Sequence, residues 1–332
     1  MISGSVPAGW NPRRQLLVVA ILVLLFAGCG RGAGDGYQAP STPDPLEFPA
    51  TEGQTLTEIA EPLPESEYVA LPGQLVFERG QNRYAFGVFT LAKEMVSDAQ
   101  VALYFAPGAD GKAKGPYPAD AEPLQTAPAF RSQTSAGTGG APEVVYVVPE
   151  VNLARKGEWQ ILAVFKTDDG LQSTRMSSIV VGKFPGIPGA GDAAPKIHTQ
   201  TPADVGGDMS KIDTRVPPDQ MHNDDFAEVI GRKPVVLLFS TPAFCESRVC
   251  GPVVDIAEQV REEFKDEVAF IHQEVYNEND PTKGIRPELK AFNLASEPWL
   301  FVFDRNGNIL SRIEGAFGAD ELRRAVESVR TQ

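Results

Sequence analysis

The chain has 332 residues, of which 42% are hydrophobic and 22% are charged, a composition typical of globular proteins. This length exceeds what one hydrophobic core usually organises, so we expect two folded domains joined by connecting segments. The formal net charge of -14 argues against a nucleic-acid partner, because the chain has no basic surplus to displace counterions from phosphates.

The first segment, residues 1–28, has the features of a secretion signal. Arg13 and Arg14 precede an uncharged apolar run that is shorter than the roughly 20 residues of a membrane-spanning helix. The sequence LFAGC at 25–29 then resembles the lipobox of bacterial lipoproteins, although phenylalanine stands where that motif usually has leucine. The resemblance implies cleavage before Cys29 and lipidation of this cysteine by acyl chains such as palmitate. We therefore expect a lipid anchor in the cell membrane, with the protein on the extracytoplasmic face.

The region between the signal and residue 182 is expected to contain a tether and a β-rich domain. Residues 29–67 are rich in Gly, Pro, Ser and Thr without a periodic apolar face, which indicates a flexible tether. From 68 to 182, short alternating or aromatic-rich runs recur between Gly, Pro and Asp clusters. This pattern predicts an all-β, immunoglobulin-like sandwich with a long loop over 106–142. The sandwich region has no cysteine or histidine, so we expect an interaction or spacer role.

Strands and helices are expected to alternate after an extended linker at 183–225. Within 226–332, PVVLLFS suits a buried parallel strand, and VVDIAEQVREEF follows with one apolar helical face. Next come the strand VAFIHQEV, a helix near PELKAFNL, the hairpin WLFVFDRNGNILSRIEG and a closing helix, ADELRRAVESV. The predicted order of elements is βαβαββα.

That order and two local features resemble the thioredoxin-like superfamily over about a third of the chain. Cys245 and Cys250 come directly after the first strand of the pattern, where family members place reactive cysteines. Pro298 precedes the hairpin, where the family keeps a proline with a cis peptide bond. The resemblance implies an α/β thioredoxin-like domain, a redox role for both cysteines, and a role for Pro298 in shaping a peptide-binding groove.

The spacing of the two cysteines departs from the family pattern. Thioredoxins have C-x-x-C and Sco-like copper-delivery proteins have C-x-x-x-C, whereas this chain has four residues between Cys245 and Cys250. If these residues were all helical, the cysteines would be separated by about 7.5 Å of rise and could not form a disulfide. A redox pair therefore requires the helix to begin at or after Ser247. Cys250 would then lie at the helix N-terminus, which favours a thiolate, and which cysteine attacks stays open.

Two other interpretations of the cysteine pair remain. The thiolates of Cys245 and Cys250 suit Cu(I), and His272 is the candidate third ligand of a Sco-like metallochaperone site. The hairpin region that supplies the histidine in Sco-like proteins has none here, which weakens the copper interpretation. Alternatively, the pair is a permanent disulfide in a non-catalytic scaffold.

The sequence thus favours a membrane-anchored, extracytoplasmic thiol–disulfide oxidoreductase. Its expected partners are protein thiols and disulfides, together with the membrane through the lipid on Cys29. We expect no cofactor and no metal in this interpretation, and Cu(I) only in the copper alternative. The expected catalytic residues are Cys245, Cys250 and Pro298.

Overall fold

The computed structural model describes residues 37–137, 143–245 and 247–329. The predicted signal and the predicted lipidation site, Cys29, lie outside these ranges. None of the helices within these ranges combines the length and the apolar composition that a membrane span requires.

Eight strands in the first half of the chain form two four-stranded sheets. They are β1 (Tyr68–Pro72), β2 (Gly80–Thr90), β3 (Gln100–Ala106), β4 (Lys114–Pro118), β5 (Asp120–Pro123), β6 (Val144–Leu153), β7 (Gly157–Thr167) and β8 (Gly170–Val181). The orders are β1-β2-β6-β5 and β4-β3-β7-β8, and neighbouring strands are antiparallel. The sheets share one hydrophobic core, in which the ring of Tyr84 meets that of Phe105 edge-on at 5.2 Å.

Two irregular segments of the sequence prediction need correction. Helix α1 (Leu56–Ala60) begins with a capping box formed by Thr55 and Glu58, and it covers the outer face of the sheet β4-β3-β7-β8. Leu56, Ile59 and Phe48 pack there, so residues 37–67 are folded against the sandwich instead of forming a flexible tether. The predicted loop over 106–142 contains β4, β5 and a short helix, α2 (Gln133–Gly137). Their apolar residues are scattered, so no periodicity revealed these elements in the sequence.

After one short helix, the second half of the chain has the predicted βαβαββα order. Its elements are α3 (Phe226–Val229), β9 (Val235–Phe239), α4 (Cys250–Phe264), β10 (Ala269–Gln273), α5 (Pro287–Ala291), β11 (Trp299–Phe303), β12 (Ile309–Glu314) and α6 (Ala319–Glu327). The sheet order is β10-β9-β11-β12, with β10 parallel to β9 and β11 antiparallel to both β9 and β12. All five residues of β9 are buried, as expected for a central strand covered on both faces. This is the thioredoxin-like topology.

The two halves share a second hydrophobic core. Ala85, Val145 and Val147, from the first sandwich sheet, belong to the same buried cluster as Val253 of α4 and Leu322 of α6. Polar contacts reinforce the junction: the Arg83 guanidinium donates to the backbone oxygens of Glu314 and Ala316 at 3.0 and 2.6 Å and pairs with Glu321. The sandwich therefore supports the helices that follow the cysteines.

The segment 183–225 lies along the thioredoxin-like sheet with little regular structure. Ile187 and Ile197 are buried in a core with Leu237 and Phe301, on one face of that sheet. Near its end, the Met221 carbonyl accepts a hydrogen bond from the backbone N–H of His272, on the edge strand β10. We call residues 213–222 the lead-in, since they run beside β10 just before α3.

Candidate functional site

The two cysteines flank the turn between β9 and α4 and are joined by a disulfide. Their Cα atoms are 5.9 Å apart. Helix α4 begins at Cys250, after Ser247, as a redox pair requires. Arg248 has a φ of 60°, in the left-handed region that non-glycine residues rarely adopt, and its N–H donates to the Cys245 carbonyl. The chain thus doubles back between the cysteines, and Cys250 lies in the first turn of the helix.

The two sulfur-bearing residues differ in exposure. Cys250 has no exposed surface, whereas Cys245 is half-buried and its Sγ lies 3.2 Å from the Ser247 hydroxyl. A sandwich segment covers the helix start: a Cβ atom on Gly251 would lie only 2.7 Å from Ser135 Oγ. Access to the disulfide is therefore from the side of Cys245.

An open groove of about 370 Å³ lies beside the disulfide turn. Ser247 and Val249 of the turn line it, and so does Pro298, whose peptide bond with Glu297 is cis, as expected. Its opposite wall belongs to the sandwich and includes Leu71 and Phe89. The structure thus places the predicted proline and the cysteine turn on one groove, mostly apolar in its lining, and adds a wall that the sequence did not suggest.

His272, the third ligand of the copper interpretation, faces other partners. Its Nε2 lies 3.1 Å from the Ser240 carbonyl oxygen, and its Nδ1 lies 2.7 Å from Asp219 Oδ2. Both ring nitrogens therefore have close contacts other than the cysteine sulfurs. The residue that relates it to the cysteines is Ser240, whose hydroxyl donates to the Cys250 carbonyl at 3.3 Å.

His272 belongs to a group of four buried side chains, which we call the His–Asp cluster: Asp213, Asp219, His222 and His272. One nitrogen or oxygen from each lies within 4.8 Å of the others. His222 Nε2 is 3.4 Å from Asp213 Oδ2 and 3.5 Å from Asp219 Oδ1, without a hydrogen bond to either. The lead-in supplies three members and β10 the fourth.

The charges within the cluster shift its proton equilibria in opposite directions. Burial alone would lower the pKa of His272, but the Asp219 carboxylate, with smaller effects from Asp213 and Glu274, raises it to about 10. Burial would raise the pKa of Asp219, but His272 and His222 hold it well below its usual range. The two shifts favour a buried ion pair between protonated His272 and the Asp219 carboxylate.

Sequence reasoning considered His272 as a metal ligand but missed Asp213 and Asp219. The signal was present, because the ten residues of the lead-in contain two aspartates and a histidine. It was overlooked because the lead-in lacks periodicity, and a sequence without periodicity does not show which residues a fold brings together. Their positions depend on local turns: Asp213 accepts hydrogen bonds from the N–H groups of Arg215 and Asp219, both at 2.8 Å.

Arg215 joins the His–Asp cluster to the cysteine helix. Its backbone contacts Asp213, while its buried guanidinium pairs with Asp255 of α4 at 2.8 Å. The same guanidinium donates to the carbonyl oxygens of Pro217 and Phe130, and Asp255 Oδ2 accepts from the N–H of Ser132 at 2.9 Å. One ion pair therefore holds together the lead-in, α4 and the sandwich segment that covers it.

The chain is similar to a solved structure but to no known protein family. No protein-family model matches the chain, and no curated protein matches it. Among solved structures, it is similar to a protein from Chlorobium tepidum provisionally named thiol:disulfide interchange protein DsbE. The two are 16% identical with a TM-score of 0.31, and the match covers 43% of this chain and 98% of the other. The thioredoxin-like topology of residues 226–332 follows from their own strand order.

Proposed function

We propose that the protein is a membrane-anchored, extracytoplasmic thiol–disulfide oxidoreductase that acts on protein disulfides through Cys245 and Cys250. The observation that carries this proposal is the asymmetry of the disulfide. Cys245 is accessible beside an open groove, whereas Cys250 is covered in the first turn of α4. An attacking thiol needs access to its partner, and a resolving thiol needs access only to its neighbour.

In the reduced protein, the Cys245 thiolate attacks one sulfur of a partner disulfide and releases the other as a thiolate. The Cys250 thiolate then attacks Cys245 in the mixed disulfide, forms the Cys245–Cys250 bond and releases the second partner thiolate. Two electrons pass to the partner, and the reverse sequence oxidises a partner dithiol. The position of Cys250 at a helix N-terminus supports its thiolate, since unpaired N–H groups favour negative charge there.

We propose that Pro298 contributes without covalent chemistry. It lies on the same groove as the cysteine turn, where it would help to position an extended segment of the partner. The opposite wall, with the half-exposed Leu71 of the sandwich, would contact apolar side chains near the partner's cysteine. The sandwich is then part of the substrate site as well as a support for α4.

The cellular location and the domain division belong to the same proposal. The lipobox-like sequence supports cleavage after residue 28 and lipidation of Cys29, which would hold the protein on the extracytoplasmic face. We propose an immunoglobulin-like domain over 68–182, supported by two antiparallel sheets around one core, and a thioredoxin-like domain over 226–332. Residues 183–225 connect the two domains along the thioredoxin-like sheet.

The reduction potential of the cysteine pair tests this function directly. We would equilibrate the protein in a series of glutathione buffers, alkylate the free thiols and count the labels by mass. An exchange catalyst should give a value between about -120 and -270 mV, and the value indicates whether it oxidises or reduces its partners. A value below about -300 mV is typical of structural disulfides and would contradict the proposal.

A further inference from the structure

We propose that Asp213, Asp219, His222 and His272 form a structural binding site for a divalent transition-metal ion, with Zn²⁺ the ion that best fits two imidazole nitrogens and two carboxylate oxygens. Zn²⁺ accepts both kinds of ligand in four-coordinate sites. Two carboxylates balance its charge, which matters because an uncompensated charge is costly at a buried position. This site is separate from the disulfide and does not depend on the proposed redox function.

The position of His222 is the first observation behind this inference. The side chain is 3% exposed, and its Nε2 has no hydrogen-bond partner although it points at two carboxylates. Its distances of 3.4 and 3.5 Å from Asp213 and Asp219 are longer than good hydrogen bonds. Ligands bound to one Zn²⁺ at 2.0 to 2.2 Å in a tetrahedron lie about 3.3 to 3.6 Å apart. The spacing thus suits atoms that share an ion between them.

The orientation of His272 is the second observation. A carbonyl oxygen only accepts, so the contact of Nε2 with the Ser240 carbonyl places a proton on Nε2. In the neutral ring, the lone pair is then on Nδ1, which faces Asp219 and Asp213 at 2.7 and 4.0 Å. Metal-binding histidines commonly donate their second N–H to a carbonyl in this way. Nδ1 is therefore the ring atom that would bind an ion held between the carboxylates.

Backbone N–H groups hold the two carboxylates in position, as hydrogen bonds around a metal site commonly do. Asp213 accepts from the N–H groups of Arg215 and Asp219, and Asp219 Oδ1 accepts from the N–H of Met221 at 2.8 Å. These bonds limit the rotation of both side chains, so the oxygens are held in place before an ion arrives. Short turns within the lead-in thus organise three of the four ligands.

Burial of all four ligands indicates a structural role. Every member of the cluster is buried, and four protein ligands complete a tetrahedral site without an open position for substrate. Because three ligands are in the lead-in and one is on β10, the ion would fasten the lead-in to the edge of the thioredoxin-like sheet. Its ligand His272 contacts Ser240, whose hydroxyl donates to the carbonyl of Cys250.

Metal analysis of the full-length chain, purified in detergent with its disulfide oxidised, tests the site. Oxidation removes the cysteine thiolates as competing ligands. After growth with added Zn²⁺ and gel filtration, elemental analysis should find about one Zn²⁺ per chain. His222→Asn should lose most of this metal, whereas the control His198→Asn, at an exposed histidine outside the cluster, should retain it. Dipicolinate should lower the Tm of the wild-type protein, and added Zn²⁺ should restore it.

A second measurement covers the possibility that His222→Asn does not fold. Wild-type protein in which Co²⁺ replaces the native ion should show the visible absorption of tetrahedral Co²⁺, and an excess of Zn²⁺ should remove it. If wild-type protein carries no stoichiometric metal, its Tm responds to neither chelator nor Zn²⁺, and Co²⁺ gives no such band, the four side chains form only buried ion pairs. That result would overturn the proposal.

Discussion

The disulfide and the His–Asp cluster lie at the same end of β9 and both contact Ser240, but they differ in access. The disulfide has one half-buried cysteine beside a groove, whereas every member of the cluster is buried. An open site suits exchange with a large partner, and a closed one suits a permanent role. Exposure therefore separates the two groups, because a large partner can approach the disulfide but cannot reach the cluster.

The two sites also differ in how the chain supplies them. The cysteines are five positions apart on either side of one turn, so local structure brings them together. The cluster combines the lead-in with β10, 50 or more residues later, and it depends on the fold of the whole thioredoxin-like half. Damage to the fold should therefore affect the cluster first, whereas single cysteine variants should affect only exchange.

The largest expected effect is on exchange, from Cys245→Ser and Cys250→Ser. Both substitutions should abolish turnover of a protein disulfide, since each removes one of the two sulfurs. Cys250→Ser should accumulate a mixed disulfide through the accessible Cys245, visible on non-reducing gels. Cys245→Ser should trap far less, because Cys250 is covered. Equal trapping by both variants would contradict the assigned order of attack, and unchanged metal content would show that the two sites are separate.

Arg215→Met should cause the largest loss of stability, because Arg215 joins the lead-in of the His–Asp cluster to the cysteine helix α4. The substitution leaves Asp255 as an uncompensated buried charge, which typically costs about 3 to 5 kcal/mol. Denaturant unfolding measures this loss. Arg323→Met is the matched control, since the Arg323–Glu263 pair is 29% and 41% exposed and should contribute about 1 kcal/mol or less. Equal losses of unfolding free energy in the two variants would show that Arg215 does not connect the lead-in to α4.

The groove beside the disulfide is tested by substitutions in its sandwich wall. Leu71→Ser combined with Leu75→Ser should lower kcat/KM for an unfolded disulfide-bonded protein by about tenfold, the equivalent of 1.4 kcal/mol of lost apolar contact. The rate with a small disulfide such as oxidised glutathione should not change. Leu91→Ser, at an exposed leucine that does not line the groove, is the control. Equal reductions with both substrates would exclude a role of the sandwich in partner binding.

The smallest effect concerns His198, the one histidine outside the cluster. The hydrogen bond that the exposed His198 ring donates to the Asp225 carboxylate raises the pKa of the ring, with a further contribution from the charge of Asp225. The native state therefore binds the proton more tightly, so the added stability is present below about pH 6.5 and is lost as the pH rises through the folded pKa. Thermal unfolding from pH 5.5 to 8 should show a small wild-type advantage over His198→Asn that disappears with rising pH. A pH-independent difference would contradict this.

The sequence predicted the features that depend on local pattern. Apolar runs predicted β9 and α4, and the geometry of a redox pair required a helix start at or after Ser247; the structure has it at Cys250. Residues 37–67 were misinterpreted because their few apolar residues, such as Leu56 and Ile59, follow no long periodic pattern. Their packing depends on a second buried face of the sandwich sheet, which only the folded partner reveals.

The groove wall and the His–Asp cluster were beyond sequence prediction for a related reason. Leu71 and Pro298 are more than 200 positions apart, and no local signal indicates that they line one groove. Asp213 and His272 likewise meet only after the lead-in packs beside β10. Contacts of this kind arise from tertiary packing, whereas composition and periodicity report on single elements.

The shared core of the two halves has an evolutionary consequence. Ala85, Val145 and Val147 lie outside the thioredoxin-like half but fill the core beneath its helices. A gene fusion that moved residues 226–332 alone to another protein would leave Val253 and its neighbours without these contacts. Recombination is therefore expected to transmit the two halves together, and substitutions in the β6 strand should covary with those in α4 across descendants of this chain.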